Sequence, residues 1–389
     1  MSEAAREITA RRLRHLAEAG HPSTGPVEAA VEGAVYRLGD GTVARVWEHR
    51  RGAELRRMQR FYADAAAHLP FGAPEIIAVE DFEGVPLTVE REPVGTPLAA
   101  RIRTGGPEMP PEAVDCMVGV LGALAAAHEV GEVRELPVLD EERPLWEGHT
   151  TFGSALADLV ERRTGRCGDL LRDRLRGFED LRSALLARLR ALPGGGEAVV
   201  HGDLFPETVL VDDALRPVAL VDYGFLSTGG DPRFDAAVTA AIFPAATGYG
   251  PDTVRRLTLR FADEFGYAVE DLLLYRAAYA MATSDAFAPG GGDEHFAWCV
   301  SVLEDPAVAE GRARVSVRSP AGAGGGWGGW PVGAGGRPSA GQSSAGPSLL
   351  GQTSGPPPCH SISGDSATST SSQPSSPARC TRTASSRRL

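Results

Sequence analysis

Apolar positions recur with helical spacing from Ala4 to Ala19, where Ile8, Leu13 and Leu16 share one face beside Arg11, Arg12 and Arg14. Gly20, Pro22 and Gly25 break that pattern. A β pattern follows. The run Ala34 to Leu38, the turn Gly39-Asp40-Gly41 and the run Thr42 to Trp47 read as an antiparallel hairpin. Helical spacing returns from Ala53 to His68, with Leu55, Met58, Phe61 and Tyr62 on the inner face. Glu75 to Val79 and Pro86 to Glu90 then predict two strands around Glu83-Gly84. The first 92 residues therefore predict a small sheet with one crossing helix.

From Gly95 onward the texture is helical. Residues 111–129, rich in Ala, Leu and Val, suit a buried helix, and residues 151–192 carry helical periodicity with many charges. A short strand, Ala198-Val199-Val200, leads into His201-Gly202-Asp203. Val209 to Val211 and Val218 to Val221 predict a second hairpin, and helical segments resume from Asp235 to Val308. After Ser319 the chain is Gly, Ser, Pro and Thr with almost no aliphatic periodicity, so residues 319–389 are expected to be disordered. The tail's Gly- and Trp-rich run has no strand before it and no helix after it, so it is not a phosphate loop.

Composition narrows the class. The chain has 389 residues, 42% apolar and 23% charged, as expected of a globular protein. Its net charge is -12, and the tail carries about +4, leaving about -16 on the remainder. Such a surface repels phosphate and argues against a nucleic-acid binder. The five cysteines form no C-x-x-C pair and read as free thiols of a reducing compartment. No apolar signal core or membrane-length run is present, so a cytoplasmic protein is expected. Lys and Asn are absent from the whole chain, a bias consistent with a GC-rich coding sequence.

The candidate chemistry lies in His201 to Asp212 and Val221 to Phe225. Asp203 and Asp222 stand nineteen positions apart, each after an apolar strand, with a hairpin between them. That layout brings two carboxylates to one cleft. Phosphoryl transfer uses two such acids: one orients the acceptor hydroxyl and takes its proton, the other holds Mg²⁺ against the triphosphate.

These residues resemble the aminoglycoside phosphotransferase family, whose relatives include choline and fructosamine kinases. The resemblance rests on His201-Gly202-Asp203, Val221-Asp222-Tyr223-Gly224 and Gly230-Asp231-Pro232, and extends over about residues 30–310. It implies an α+β, two-lobed protein-kinase-like fold. A small antiparallel-sheet lobe would span residues 1–92 and a larger, mainly helical lobe residues 93–318, ahead of the tail. It further implies Asp203 as catalytic base and Asp222 as Mg²⁺ ligand. Arg45 takes the place of the Lys that contacts the ATP phosphates, Glu54 is its partner, and backbone groups of Glu90, Arg91 and Glu92 hold the adenine. The acceptor would be a small-molecule hydroxyl.

The chain departs from the family pattern H-G-D-x-x-x-x-N at Thr208, which stands where Asn binds metal. A hydroxyl can ligate Mg²⁺ directly or through water. Arg45 is the second departure, since a planar guanidinium is aimed differently from an ammonium. Together they keep an alternative open: a pseudokinase that binds nucleotide or scaffolds without turnover. Other positions have plainer readings. His201 orients its loop by hydrogen bonding. Asp231 and Asp235 fix the N-terminus of the following helix. Glu141, Glu142, Glu147, Asp158 and Glu161 either form a solvated helix face or hold a cationic acceptor. Trp146 and Phe152 either line the acceptor pocket or pack in the core.

Overall fold

The computed structural model describes residues 3–310 apart from 31–32, 39–40, 48–49, 92, 103–107, 129, 195–197 and 289. Residues 1–321 form one compact unit, and the account that follows concerns that unit. The expected tail, 319–389, lies outside the described residues, as does Glu92.

The chain opens with helix α1 (Glu3–Glu18), followed by strands β1 (Ser23–Ala30), β2 (Gly33–Leu38) and β3 (Thr42–Val46). Helix α2 (Gly52–His68) then crosses to strands β4 (Glu75–Phe82) and β5 (Val85–Arg91). The five strands form one antiparallel sheet in the order β1-β2-β3-β5-β4. Strand β1 departs from expectation, because Gly20, Pro22 and Gly25 had read as a break. It is an edge strand with register shifts near Gly25 and Pro26, which is where a sheet tolerates Gly and Pro. Successive residues of β3 and β5 face opposite sides of the sheet. Ala44, Val46, Leu87 and Val89 pack with Leu16 of α1 in one apolar cluster. Arg45, Trp47, Thr88 and Glu90 therefore share the other face, toward which α2 lies.

A short pair of elements, β6 (Thr96–Pro97) and α3 (Leu98–Arg101), leads into the helical part. There α4 (Pro111–Ala126), α5 (Phe152–Arg174) and α6 (Phe178–Ala191) precede β7 (Ala198–Val200), β8 (Val209–Val211), β9 (Pro217–Leu220) and β10 (Thr228–Gly230). Helices α7 (Arg233–Thr247), α8 (Pro251–Phe265), α9 (Val269–Thr283), α10 (Glu294–Glu304) and α11 (Pro306–Glu310) complete it. Residues 151–192 are thus two helices, broken at Gly177, whose φ of 71° is left-handed. Strand β7 pairs with β10, and β8 pairs with β6 and β9. The α+β division expected from the sequence is present. One large apolar core runs from Leu55, Phe61 and Tyr62 of α2 through Val200, Leu204 and Tyr223 to Phe234 and Tyr279.

Candidate active site

His201, Gly202 and Asp203 leave the end of β7, and Asp222 follows β9. Several bonds lock these two segments together. The fully buried His201 ring meets the Val221 carbonyl through Nε2 at 2.9 Å and accepts from the Asp203 N–H through Nδ1 at 3.3 Å. That pairing makes it a neutral ring with its proton on Nε2, and burial pulls its pKa down to about 4. His201 therefore orients the loop. The Val221 N–H donates to the Thr208 carbonyl at 2.9 Å. Ser227 donates to the His201 carbonyl at 2.6 Å and accepts from the Gly224 N–H at 2.9 Å.

The loop turns at Gly202, with φ of 82°. A Cβ there would lie 2.2 Å from the Leu226 carbonyl oxygen, so no side chain fits. The carboxylate of Asp235 on α7 accepts from the His201 N–H at 2.7 Å and the Gly202 N–H at 2.8 Å. Asp235 therefore braces the catalytic loop rather than its own helix, where the sequence had placed its role. Burial pushes its pKa up to about 7 against those two donors. Asp231 behaves more as expected, accepting from the Arg233 N–H at 3.0 Å and from the Tyr275 hydroxyl at 2.8 Å.

Asp203 is half-buried, and its Oδ1 accepts a 2.8 Å hydrogen bond from the Tyr279 hydroxyl of α9. Burial raises its pKa to about 6, with the nearby charge of Asp222 adding to the rise and Tyr279 opposing it. Asp222 is exposed and left-handed, with φ of 61°. Non-glycine residues adopt that conformation only where the surroundings impose it. Here Tyr223 is wedged against Phe61 at 5.1 Å, Tyr62 at 5.9 Å and His201 at 4.6 Å between ring centroids. Helix α2 thus sets the segment that carries Asp222 through its aromatic face.

The sheet contributes the opposite wall. Trp47 donates to Thr88 at 2.8 Å, Thr88 donates to Glu90 at 2.5 Å, and Arg45 Nε lies 3.6 Å from Glu90 Oε2. Burial raises the pKa of Glu90, Arg45 opposes the rise, and the charge of Asp222 adds to it. Asp222 is therefore close enough to act electrostatically on both Asp203 and Glu90.

Three expected roles change with this geometry. Arg45 leans on Glu90, whereas Glu54 accepts from the Arg51 N–H at 3.4 Å and pairs with its guanidinium at 3.2 Å. Glu54 sits at the third position of α2, where a carboxylate reaches back to the helix start. Thr208 is fully buried, and its hydroxyl donates to the Phe205 carbonyl at 2.9 Å and accepts from the Phe205 N–H at 3.3 Å. The hydroxyl thus makes one donated and one accepted bond within its own turn. Strand β5 is paired on both sides through Arg91, so the backbone of Glu90 and Arg91 belongs to the sheet. The Arg91 side chain is held by Glu75 at 2.8 Å.

A family model described as a phosphotransferase enzyme family matches residues 23–273. The chain belongs to this phosphotransferase family. Solved structures agree on the fold. An aminoglycoside 2'-phosphotransferase mutant in its GDP complex is 15% identical, with a TM-score of 0.51 over 80% of this chain and 98% of that one. A putative fructosamine-3-kinase from Haemophilus somnus is 14% identical, with a TM-score of 0.50 over 77% of this chain and 96% of that one. No curated protein matches the sequence. The fold is thus the kinase-like phosphotransferase fold expected from the sequence.

For a phosphotransferase the donor set is chemically apt. Among the described residues no group of three or more His, Cys, Asp and Glu gathers as a metal cluster. Mg²⁺ beside a nucleotide needs only one or two carboxylates, and hard oxygen ligands suit it. The Asp222 carboxylate supplies hard oxygens of that kind, with Asp203 electrostatically close to it. Trp146 and Phe152 are core residues: Trp146 donates to the Gly229 carbonyl at 2.6 Å, and Phe152 packs on Gly230. Among the described residues no helix is long and apolar enough to cross a membrane.

Proposed function

We propose that this phosphotransferase moves the γ-phosphoryl group of ATP to a hydroxyl of a small molecule. The observation that carries the reading is the electrostatic contact of Asp222 with both Asp203 and Glu90, the residue beside Arg45. Asp203 takes the hydroxyl proton as the acceptor oxygen bonds to the γ-phosphorus and ADP leaves. With a pKa raised to about 6, Asp203 is a stronger base than an ordinary carboxylate and still ionised near neutrality. Asp222 would hold Mg²⁺, which would supply charge neutralisation at the phosphates. Arg45 faces the phosphates with Glu90 holding its guanidinium.

A second reading, nucleotide binding without turnover, is favoured by one observation: the Thr208 hydroxyl is bonded within its own turn. Calorimetric titration of ATP, with and without Mg²⁺, into wild type and Asp222→Ala tests both readings. Metal-dependent binding that Asp222→Ala abolishes, with ADP formed over time, is the expected result. Binding without ADP formation in the presence of an acceptor panel moves the protein to the second reading. A folded wild type that binds neither ATP nor GTP overturns both.

A further inference from the structure

An unbroken run of aromatic rings leads from the catalytic base to the metal segment. Tyr279, which bonds Asp203, meets Trp298 at 6.0 Å between centroids, and Trp298 stacks with His295 at 5.6 Å. His295 meets Phe287 edge-on at 4.9 Å, and Phe287 stacks on Phe225 at 5.6 Å with only 4° between planes. Phe225 stands three residues after Asp222. The run is not core packing alone. Phe287 is 60% exposed, and Phe225, His295 and Trp298 are each partly exposed. Apolar rings left open to water, in a run that starts from the tyrosine bonded to Asp203, mark a binding surface. Burial pulls the His295 pKa below its usual value, which keeps this ring uncharged near neutrality.

The acidic residues that would hold a polycation are engaged elsewhere. Glu141 pairs with Arg162 at 2.6 Å, Glu142 with Arg51 at 3.0 Å and Glu147 with Arg143 at 3.3 Å. Asp158 pairs with Arg143 at 2.9 Å, and Glu161 with Arg190 at 2.6 Å. Every carboxylate of this face meets a guanidinium, so the face is locally close to neutral and would have to break its own pairs to bind cations.

We infer that the acceptor is an uncharged alcohol with an apolar or aromatic ring face, seated on Phe225, Phe287 and Trp298 with its hydroxyl turned to Asp203. The inference rests on the phosphotransfer reading and names the acceptor class for that site. Ring stacking fixes the plane of the acceptor, and Tyr279 on one oxygen of Asp203 leaves the other oxygen for the hydroxyl.

Saturation-transfer NMR on the full chain with Mg²⁺ and ATP tests this, using phenyl β-glucoside as the neutral ring-bearing probe and streptamine as the cationic one. The expected result is saturation of the phenyl protons, reduced about tenfold in Phe287→Ala, with none on streptamine. Phe287 is so exposed that its removal does not threaten the fold. Saturation of streptamine, an absent phenyl signal, or a phenyl signal that survives Phe287→Ala overturns the inference. So does wild-type dimerisation that Phe287→Ala abolishes, which would make the rings a contact between copies. ATP binding is titrated in the same sample. Its failure overturns the phosphotransfer reading, whereas its success with no phenyl signal overturns the acceptor class alone.

Discussion

Tyr279 tunes Asp203 without touching the phosphoryl group. Its hydroxyl hydrogen bond, 2.8 Å long, favours the ionised carboxylate and opposes the rise caused by burial and by Asp222, which on balance leaves the pKa at about 6. As the proposed base, Asp203 would act only when ionised, so activity should fall as pH drops through that value. Tyr279→Phe removes the opposing bond, and the Asp203 pKa rises further. The acidic limb of the rate profile should then move to higher pH by roughly one unit, since a hydrogen bond to a charged group is worth about 1.5–3 kcal/mol. A profile of kcat against pH for both proteins checks this. An unmoved limb with a lower plateau would assign Tyr279 to packing alone.

Gly202 belongs to the same small set of residues whose neighbours leave one choice. An alanine Cβ would sit 2.2 Å from the Leu226 carbonyl oxygen, and φ of 82° adds backbone strain. Gly202→Ala should cost about 2–4 kcal/mol of stability, as overpacking and left-handed strain together do. Urea unfolding gives the value directly. The glycine was legible in the sequence as part of the His201-Gly202-Asp203 motif. Tyr279 and Asp235 were not legible. They stand 76 and 34 positions from the groups they hold, and hydrophobic periodicity says nothing about a pairing at that range.

Elements show the same boundary between local and distant information. Helix α2 was readable because Leu55, Met58, Phe61 and Tyr62 repeat at helical spacing and are all buried. The hairpin β4–β5 was readable from Glu83-Gly84, whose φ values of 57° and 84° make a turn suited to paired strands. Strand β1 was hidden because Ser23 to Ala30 has weak β propensity and a Pro, and its pairing with β2 overrides both. The partner of Arg45 was misassigned for a physical reason. Glu54 has a closer claimant in Arg51 at the start of its own helix, and Glu90 lies two residues along β5 from Thr88, the cross-strand neighbour of Arg45.

Helix α5 carries an anchor that periodicity shows only as a charge. Arg163 is fully buried and bonds Asp140, Asp285 and, at 3.1 Å, the Ala282 carbonyl. Leu139, next to Asp140, donates its N–H to the Phe225 carbonyl at 2.6 Å. One guanidinium thus ties α5 to the end of α9 and to the loop that holds the metal segment. Arg163→Ala would leave the Asp285 carboxylate, only 4% exposed, with Arg166 at 3.6 Å as its remaining cation. Removing one partner of a buried pair costs about 3–5 kcal/mol. Chemical denaturation should show a loss of that size, and Arg163→Lys should recover little of it, because an ammonium cannot span the three acceptors.

The molecule as a whole separates what holds the fold from what lies beyond it in sequence. The apolar core of the described residues continues to Val308, 6% exposed on α11. The family match ends earlier, at residue 273 within α9; Tyr279 lies on the rest of that helix, Phe287 in the loop after it, and His295 and Trp298 on α10. Residues 319–389 contribute a composition of Gly, Ser, Pro and Thr with a net charge of about +4. Such a segment cannot bury enough apolar surface to offset its own ordering entropy. Deleting residues 319–389 should therefore leave the melting temperature within about 2 °C of the full chain. A ΔΔG of 1 kcal/mol moves a domain of this size by about 2 °C or more, so the limit corresponds to less than one ordinary contact. Calorimetry on the full and shortened chains, at matched pH and salt, makes the comparison. A fall of several degrees would mean that the tail packs on the body and that its Trp327 and Trp330 belong to a core the composition conceals.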